Sequence, residues 1–260
     1  MSKALHLLIP AAGKGSRFAD VGFDTPKPLI PIWDIPMLIW VISNFPLENQ
    51  DKVSILCQKS HGIPRILKPF TDKLAVEVTF VEIDYWTDGP AHSLELLIDN
   101  LDENLPAICA NSDQYIFAGL PEFVGAVRSG ASQGQILTME ASGNAWSYVG
   151  RDSDGQVNEV VEKKQISDEA TVGVYGWSSI KILRDSLSWQ RLSGSRVNNE
   201  YYVAPSYHHL IEQGLMISTH SVGTHGDGVH GLGVPEDLEH FLTLDSAMAA
   251  RENIRKLIGI

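Results

Sequence analysis

The chain has 260 residues, 43% of them hydrophobic and 20% charged, which is enough apolar material for a well-buried core and excludes a disordered or fibrous chain. Asp and Glu number 32 against 20 Lys and Arg, a formal net charge of −12. That balance argues against nucleic acid or an anionic membrane as partner, yet it leaves room for a phosphate site served by a few placed cations.

Cys57 and Cys109 stand in the apolar runs VSILC and AICA, where two buried thiols are expected rather than a disulfide scaffold. The opening MSKALHLLIPAAG carries an apolar stretch of only about seven residues, too short for a signal h-region. No run of about 18 apolar residues free of charge and proline occurs. A cytoplasmic chain without a transmembrane helix is expected.

In chain order, LHLLI, KVSIL, VEVTFVEI and LPAICA predict buried strands. PMLIWVISNF and AHSLELLIDNL predict helices, with apolar positions three and four apart. This alternation implies βαβ crossovers and a mainly parallel sheet with helices on both faces over residues 1–130. From 135 the rhythm changes. GQILTMEA reads as a strand, YVGRDSDGQVNEVVEKK as a strand, an Asp-Gly turn and a second strand, and TVGVYGWS as another. A helix follows over 179–188. Residues 200–213 and 235–258 read as amphipathic helices, the last opening on a Pro-Glu-Asp that suits a helix N-terminus. With no repeat, low-complexity tract or linker, one mixed α/β domain over 1–260 is expected.

The sharpest chemical signal is LLIPAAGKGSRF, residues 7–18. A buried strand runs into Ala11, Ala12, Gly13 and Gly15, small residues that let the backbone approach a ligand, and successive amides in such a turn form an anion-binding concavity. The pattern is neither G-x-x-x-x-G-K-[ST] nor G-x-G-x-x-G. Arg17 follows closely, and Lys27 stands between Pro26 and Pro28, which stiffen the backbone around it. Two cations beside one small-residue loop suit a polyphosphate under attack at phosphorus.

This segment resembles the signature of the nucleoside-diphosphate-sugar pyrophosphorylases, or sugar-1-phosphate nucleotidyltransferases: a strand, A-[AG]-G-x-G-x-R-[LF], then P-K-P. Pro10 before the alanines resembles the uridylyltransferase version. The resemblance implies a Rossmann-like, mainly parallel sheet of the glycosyltransferase-A type. The implied reaction joins an NTP and a sugar 1-phosphate to give an NDP-sugar and pyrophosphate, with Mg²⁺. It implies that residues 1–130 hold the nucleotide and 131–260 the acceptor, that the loop from Pro10 to Gly15 cradles base and phosphates, and that Arg17 and Lys27 stabilise the triphosphate.

Further stretches carry the same resemblance. DGPAHSLELL (88–97) is similar to the G-T-A segment that discriminates the base, with Gly89 as the matching position and Pro90 replacing a small polar residue. In PAICANSDQ, Asp113 lies at the carboxyl edge of a buried strand, where ligands gather in open parallel sheets. A carboxylate there suits a hydrated divalent cation, and Asp113 matches the family's metal Asp. EVVEKK (159–164) resembles E-K-P, so Glu162 would accept from sugar hydroxyls and Lys163 would contact the sugar phosphate. Lys164 stands where proline is usual. TVGVYGW resembles N-x-G-x-Y, placing Gly173 and Val174 along the sugar, with Thr171 in place of Asn.

One station departs. In HGLGVPEDL, Gly231 occupies the place of the second metal Asp of W-x-D-x-G-T-P-E-D-L, and Val234 that of Thr. Asp227 is the candidate substitute, with His230 a further polar group nearby. His220, His225 and His230, with His208 and His209 upstream, lack H-E-x-x-H or C-x-x-C company and read as loop and surface residues, with His225 or His230 candidates for the pocket wall. Trp33, Trp40, Trp146, Trp177 and Trp189 read as core. RVNNEYY (196–202) fits either an acceptor wall or a helix cap. Two rival readings stand beside the main one: a cytidylyltransferase acting on a phosphocholine-like, non-sugar phosphate, and a non-catalytic ligand-sensing module of the same fold. The base, the sugar and any homo-oligomer are left open.

Overall fold

The computed structural model describes residues 3–260. Its first half runs β1 (His6–Pro10), a one-turn helix α1 (Ser16–Ala19), the two-residue strands β2 (Pro31–Ile32) and β3 (Ile35–Pro36), α2 (Met37–Asn44), β4 (Lys52–Gln58), α3 (Ile63–Thr71), β5 (Glu77–Ile83), α4 (Pro90–Ile98) and β6 (Ala107–Ala110). Next come β7 (Gln114–Ile116), α5 (Leu120–Ser129), β8 (Gly134–Glu140), β9 (Ser147–Arg151), β10 (Val157–Glu162) and β11 (Glu169–Trp177). The chain closes with α6 (Ile180–Ser193), α7 (His208–Glu212), β12 (Ile217–His225), β13 (Gly228–Gly231), α8 (Pro235–Leu242) and α9 (Asp245–Leu257).

Eleven strands form one sheet in the order β5-β4-β1-β6-β11-β8-β12-β13-β7, with the β9–β10 hairpin attached through β11. The run β5 to β6 is parallel. β11 enters antiparallel between β6 and β8. Strand periodicity divides the core: Leu7 and Ile9 of β1 join one apolar cluster and Leu8 the other, because successive side chains point to opposite faces. α2 seals the first face, with Met37 through Ile42 all buried. Its Trp40 meets Tyr115 and Phe241 edge-on, each at 5.5 Å between ring centroids, so β7 and α8 are fastened behind the edge where β6 ends. Asn44 completes the fastening: its amide donates to the Ile116 carbonyl and its oxygen accepts from the Ile116 amide, both at 2.8 Å. A polar group satisfied at both ends fixes a strand more definitely than apolar contact alone.

Several boundaries differ from the sequence reading for identifiable reasons. The helix expected over 235–258 is two helices, broken at Thr243 and Leu244. The Thr243 hydroxyl donates to the His240 carbonyl at 2.7 Å, a local bond that competes with helix continuation. The helix expected over 200–213 begins only at Ala204, as a 3₁₀ turn leading into α7. Tyr201 is held instead by backbone bonds, its amide to the Asp88 carbonyl at 2.7 Å and its carbonyl from the Ala91 amide at 3.0 Å. The helix expected over 179–188 extends to Ser193 and ends on Gly194 in the left-handed region. The histidines read as loop residues lie on strands: His220 and His225 on β12 and His230 on β13. His230 is buried against Phe117 and Phe241, and burial, with His240 and His225 nearby, lowers its pKa.

Candidate active site

Parallel strands β1 and β6 end at the same edge, and a cavity of about 450 Å³ opens beyond it. On one side it is lined by Pro10, Arg17, Lys27 and Asp113. The Gly-rich turn makes this approach possible. Gly15 takes φ +62°, and a Cβ there would stand 3.2 Å from Lys27 Cβ, so a side chain at 15 would crowd Lys27 where it enters the cavity. Pro26 and Pro28 bracket Lys27 in a 3₁₀ turn with Leu29 buried beneath. Lys27 Nζ donates to Asp113 Oδ2 at 2.7 Å, with each side chain about a quarter exposed (24% and 23%). Residues 86 apart in sequence thus form one cation–carboxylate pair facing the cavity. Arg17 also lines it and has no ion-pair partner among the described residues.

The opposite wall comes from the hairpin and β11. Glu162 ends β10 inside the cavity and accepts from the Ser147 hydroxyl. Burial pushes its carboxyl above the ordinary carboxylate range, while Ser147 and the Lys163 charge pull the other way. Lys163 adopts φ +56°, a left-handed conformation that a non-glycine residue keeps only when its surroundings hold it there. They do: its amide donates to the Trp146 carbonyl at 2.9 Å, and its ammonium donates to the Tyr202 hydroxyl and lies 4.2 Å from that ring's centroid. Gly173, at φ +77°, sits under Asn111, and a Cβ there would collide with the Asn111 amide. The cavity is therefore divided between two cations with a carboxylate on one side and a carboxylate, a cation and hydroxyls on the other.

A family model for nucleotidyl transferases matches residues 7–204, a span that includes Arg17, Lys27, Asp113, Glu162 and Lys163 of the cavity lining. The chain belongs to the nucleotidyl transferase family. It is 25% identical over 206 residues to the bifunctional protein GlmU of Trichlorobacter lovleyi, covering 75% of this chain and 42% of that protein, so it spans less than half the length of this curated relative. The nucleoside-diphosphate-sugar pyrophosphorylase of Vibrio cholerae RC9 superposes with a TM-score of 0.76 at 21% identity, covering 92% of this chain and 100% of that one. The inositol-1-phosphate CTP transferase of T. maritima superposes at 0.71 with 14% identity, covering 98% of each chain. At these identities the two structures establish a shared mixed α/β fold.

Within this nucleotidyl transferase the sequence-derived residues fall into two groups. Pro10, Arg17, Lys27, Asp113, Glu162, Lys163 and Gly173 line the cavity. Ala11 and Ala12 are buried behind the turn, the Ala11 amide donating to the Leu56 carbonyl at 2.8 Å, and Gly13 stands at its open tip. Gly89 is set back from the cavity, at φ +111°, where a Cβ would stand 2.7 Å from the Tyr201 carbonyl oxygen; its absent side chain serves chain packing, and Pro90 next to it reaches the wall. Val174 does not face a ligand, because its side chain is fully buried in the core beside Ala110. Asp227 lies exposed on the turn between β12 and β13, outside the cavity lining.

Other members of the wall escaped the sequence reading. Trp146, read as core, lines the cavity and lies 5.2 Å from the His225 ring. Tyr202 enters it from RVNNEYY, whereas Arg196 of that segment turns away to stack on Tyr201 at 4.3 Å. Ser147, Gln114 and Asp237 also line it. A serine, a glutamine and an aromatic carry no motif, but Asp237 follows Val-Pro-Glu directly, and its position in the first turn of a helix beside a glycine pair was a usable signal. Among the described residues no group of three or more His, Cys, Asp or Glu is arranged to hold a metal ion, and no helix is long and apolar enough to cross a membrane.

Proposed function

We propose that the chain transfers a nucleotidyl group from an NTP to a polyhydroxylated phosphate monoester of the sugar 1-phosphate class, releasing pyrophosphate. The observation that carries this reading is that the Lys27–Asp113 pair lines the same cavity as Glu162 and Lys163. An oxygen of the acceptor phosphate forms a bond to the α-phosphorus as the bond from that phosphorus to the β-bridging oxygen breaks, the electron pair leaving with pyrophosphate. Arg17 and Lys27 offset the negative charge of the triphosphate, and Lys163 holds the acceptor phosphate. The chain contributes positioning and electrostatics rather than a covalent intermediate.

The donor set fits Mg²⁺: the carboxylates lining this cavity are hard oxygen ligands, and Mg²⁺ binds through one or two carboxylates together with substrate phosphates. When bound, the cation neutralises charge on the phosphates. Asp113 would hold it once substrate phosphate draws Lys27 away.

The acceptor wall favours hydroxyls over a cationic headgroup. A quaternary ammonium would seek an aromatic face; Lys163 already occupies that of Tyr202 and the His225 ring lies 5.2 Å from that of Trp146. Glu162 and Ser147 offer an acceptor and a hydroxyl of the kind a polyol engages. This argues against the phosphocholine-like alternative, and the presence of both Arg17 and Lys27 in the cavity argues against a sensing module. A pyrophosphate-release screen of the four NTPs against sugar 1-phosphates, inositol phosphate and phosphocholine tests the proposal. Release with a polyol phosphate is expected; no release with any pair overturns it, and release with phosphocholine alone overturns the acceptor assignment.

Glu162 gives the acceptor step a pH signature. Because burial raises its pKa, the carboxylate takes up its proton at a higher pH than an exposed glutamate, which titrates near about 4.3. As pH falls through that raised value, the negative acceptor for substrate hydroxyls is lost and the acceptor KM is expected to rise. Glu162→Gln should remove this step from the KM–pH profile. A wild-type profile flat down to ordinary carboxylate pH would exclude Glu162 from hydroxyl binding.

A further inference from the structure

Beyond Asp113, one carboxylate in the cavity has no role in the reading above. Asp237 stands in the first turn of α8 and lines the cavity, and no Lys or Arg forms a salt bridge with it among the described residues. What it faces is unusual. A Cβ placed on Gly231 would lie 2.9 Å from Asp237 Oδ2 and 3.5 Å from His225 Nε2. A Cβ on Gly233 would collide with Asp113 Oδ2. Both glycines line the cavity while Leu232 between them is fully buried, so the two carboxylates lie against one side-chain-free stretch of wall.

A second observation points to a ligand at the same place. Gln114, 8% exposed and lining the cavity, has a buried amide nitrogen without a hydrogen-bond partner among the described residues. Its strand is paired antiparallel to β13 with Gln114 directly opposite Gly231. Directly opposed residues project to the same face of a sheet, so the Gln114 side chain lies on the face where Asp237 covers Gly231. A buried donor left unpaired is destabilising, a cost removed when a ligand oxygen or bound water arrives.

We propose that Asp237 is the second carboxylate toward the divalent cation that accompanies the nucleotide, occupying the space a side chain at 231 would fill, with Gln114 hydrogen-bonding the oxygens around it. This assigns to Asp237 the position for which Asp227 is the sequence candidate, and it rests on the nucleotidyl-transfer reading. The pattern matches Mg²⁺ chemistry, in which one or two carboxylates suffice because phosphates and waters complete the shell.

The test is Mn²⁺ binding to the full chain in the presence of an unreactive NTP analogue, read from the free-Mn²⁺ electron paramagnetic resonance signal. Asp237→Asn, nearly isosteric and checked for an unchanged melting temperature, should weaken Mn²⁺ binding by about 10-fold or more while analogue affinity in EDTA stays the same. Gly231→Ala is an independent probe, because its Cβ pushes the Asp237 carboxylate aside without altering any charge, and it should weaken binding in the same direction. In an Asp237→Ala background, Gly231→Asp should restore Mn²⁺ affinity, since the carboxylate returns to the same space. Mn²⁺ affinity within twofold of wild type in Asp237→Asn would overturn the assignment while leaving nucleotidyl transfer intact. Absence of analogue-dependent Mn²⁺ binding in the wild-type chain would overturn both.

Discussion

Replacing Lys27 with alanine is expected to lower kcat for pyrophosphate release by about 10²–10³-fold, the usual cost of removing one charge-stabilising donor from a transition state. The effect falls on turnover because Lys27 is delivered to the cavity by a stiff Pro-flanked turn over a glycine. The fold should persist. Lys27 and Asp113 are each about a quarter exposed, so water can solvate the carboxylate left behind and the stability change should be small. Lys27→Arg should recover activity only partly, since a planar guanidinium does not reproduce a compact ammonium in the same space. Steady-state kinetics paired with a thermal melt separates the cases. A kcat near wild type in Lys27→Ala would remove this residue from charge stabilisation and with it the central argument for phosphoryl chemistry at this edge.

Asp51→Ala should produce the largest loss of stability, about 3–5 kcal/mol, the range for removing one partner of a buried ion pair. Asp51 has a fully buried side chain and accepts from the Leu5 amide at 2.9 Å, the Glu48 amide at 2.7 Å and both terminal nitrogens of Arg128 at 2.8 Å. It thereby joins the start of β1, the turn before β4 and the end of α5. Alanine leaves a guanidinium of which only 9% is exposed with just the longer Glu48 pair at 3.6 Å and the Lys3 carbonyl, and two amides without acceptors. The pH dependence follows from the same contacts. Burial alone would raise the Asp51 pKa, but Arg128 and the two amides outweigh it and hold the carboxyl below its usual value. A depressed folded-state pKa gives stability that is present above the unfolded value, about 3.9, and is lost as pH falls through the folded one. Urea unfolding from neutral to acid pH should show that loss in the wild-type chain and lack it in Asp51→Ala. Equal midpoints for the two proteins at neutral pH would contradict the account.

The side of the cavity with Arg17 and Lys27 was legible because its chemistry is local. Pro10, Arg17 and Lys27 lie within one short stretch whose conformation is set by glycine and proline, so spacing alone says that two cations flank a small-residue turn. Asp113 was legible for a related reason, since an Asp three residues past the end of a fully buried four-residue strand stands near the sheet edge. Val174 shows where such reasoning fails. The resemblance aligned it with the sugar, but β11 is irregular between Thr171 and Tyr175, with Gly173 at φ +77°, so that Thr171, Val172, Gly173 and Tyr175 line the cavity while Val174 is buried in the core.

The sequence by itself determined the family's loop, the two cations beside it, the carboxylate past the β6 strand and the alternation of strands and helices, because each depends on residues near one another in the chain. Tertiary structure decided the rest. Trp146, Tyr202, Gln114 and Asp237 come from four separate segments and share a wall only because an antiparallel strand brings the hairpin over the edge where β1 and β6 end. Asp237 and Gly231 make the point most directly: one position has no side chain and the other, on the following helix, fills its space. A linear comparison registers only the missing carboxylate, because whether another replaces it is a question of distance across the fold.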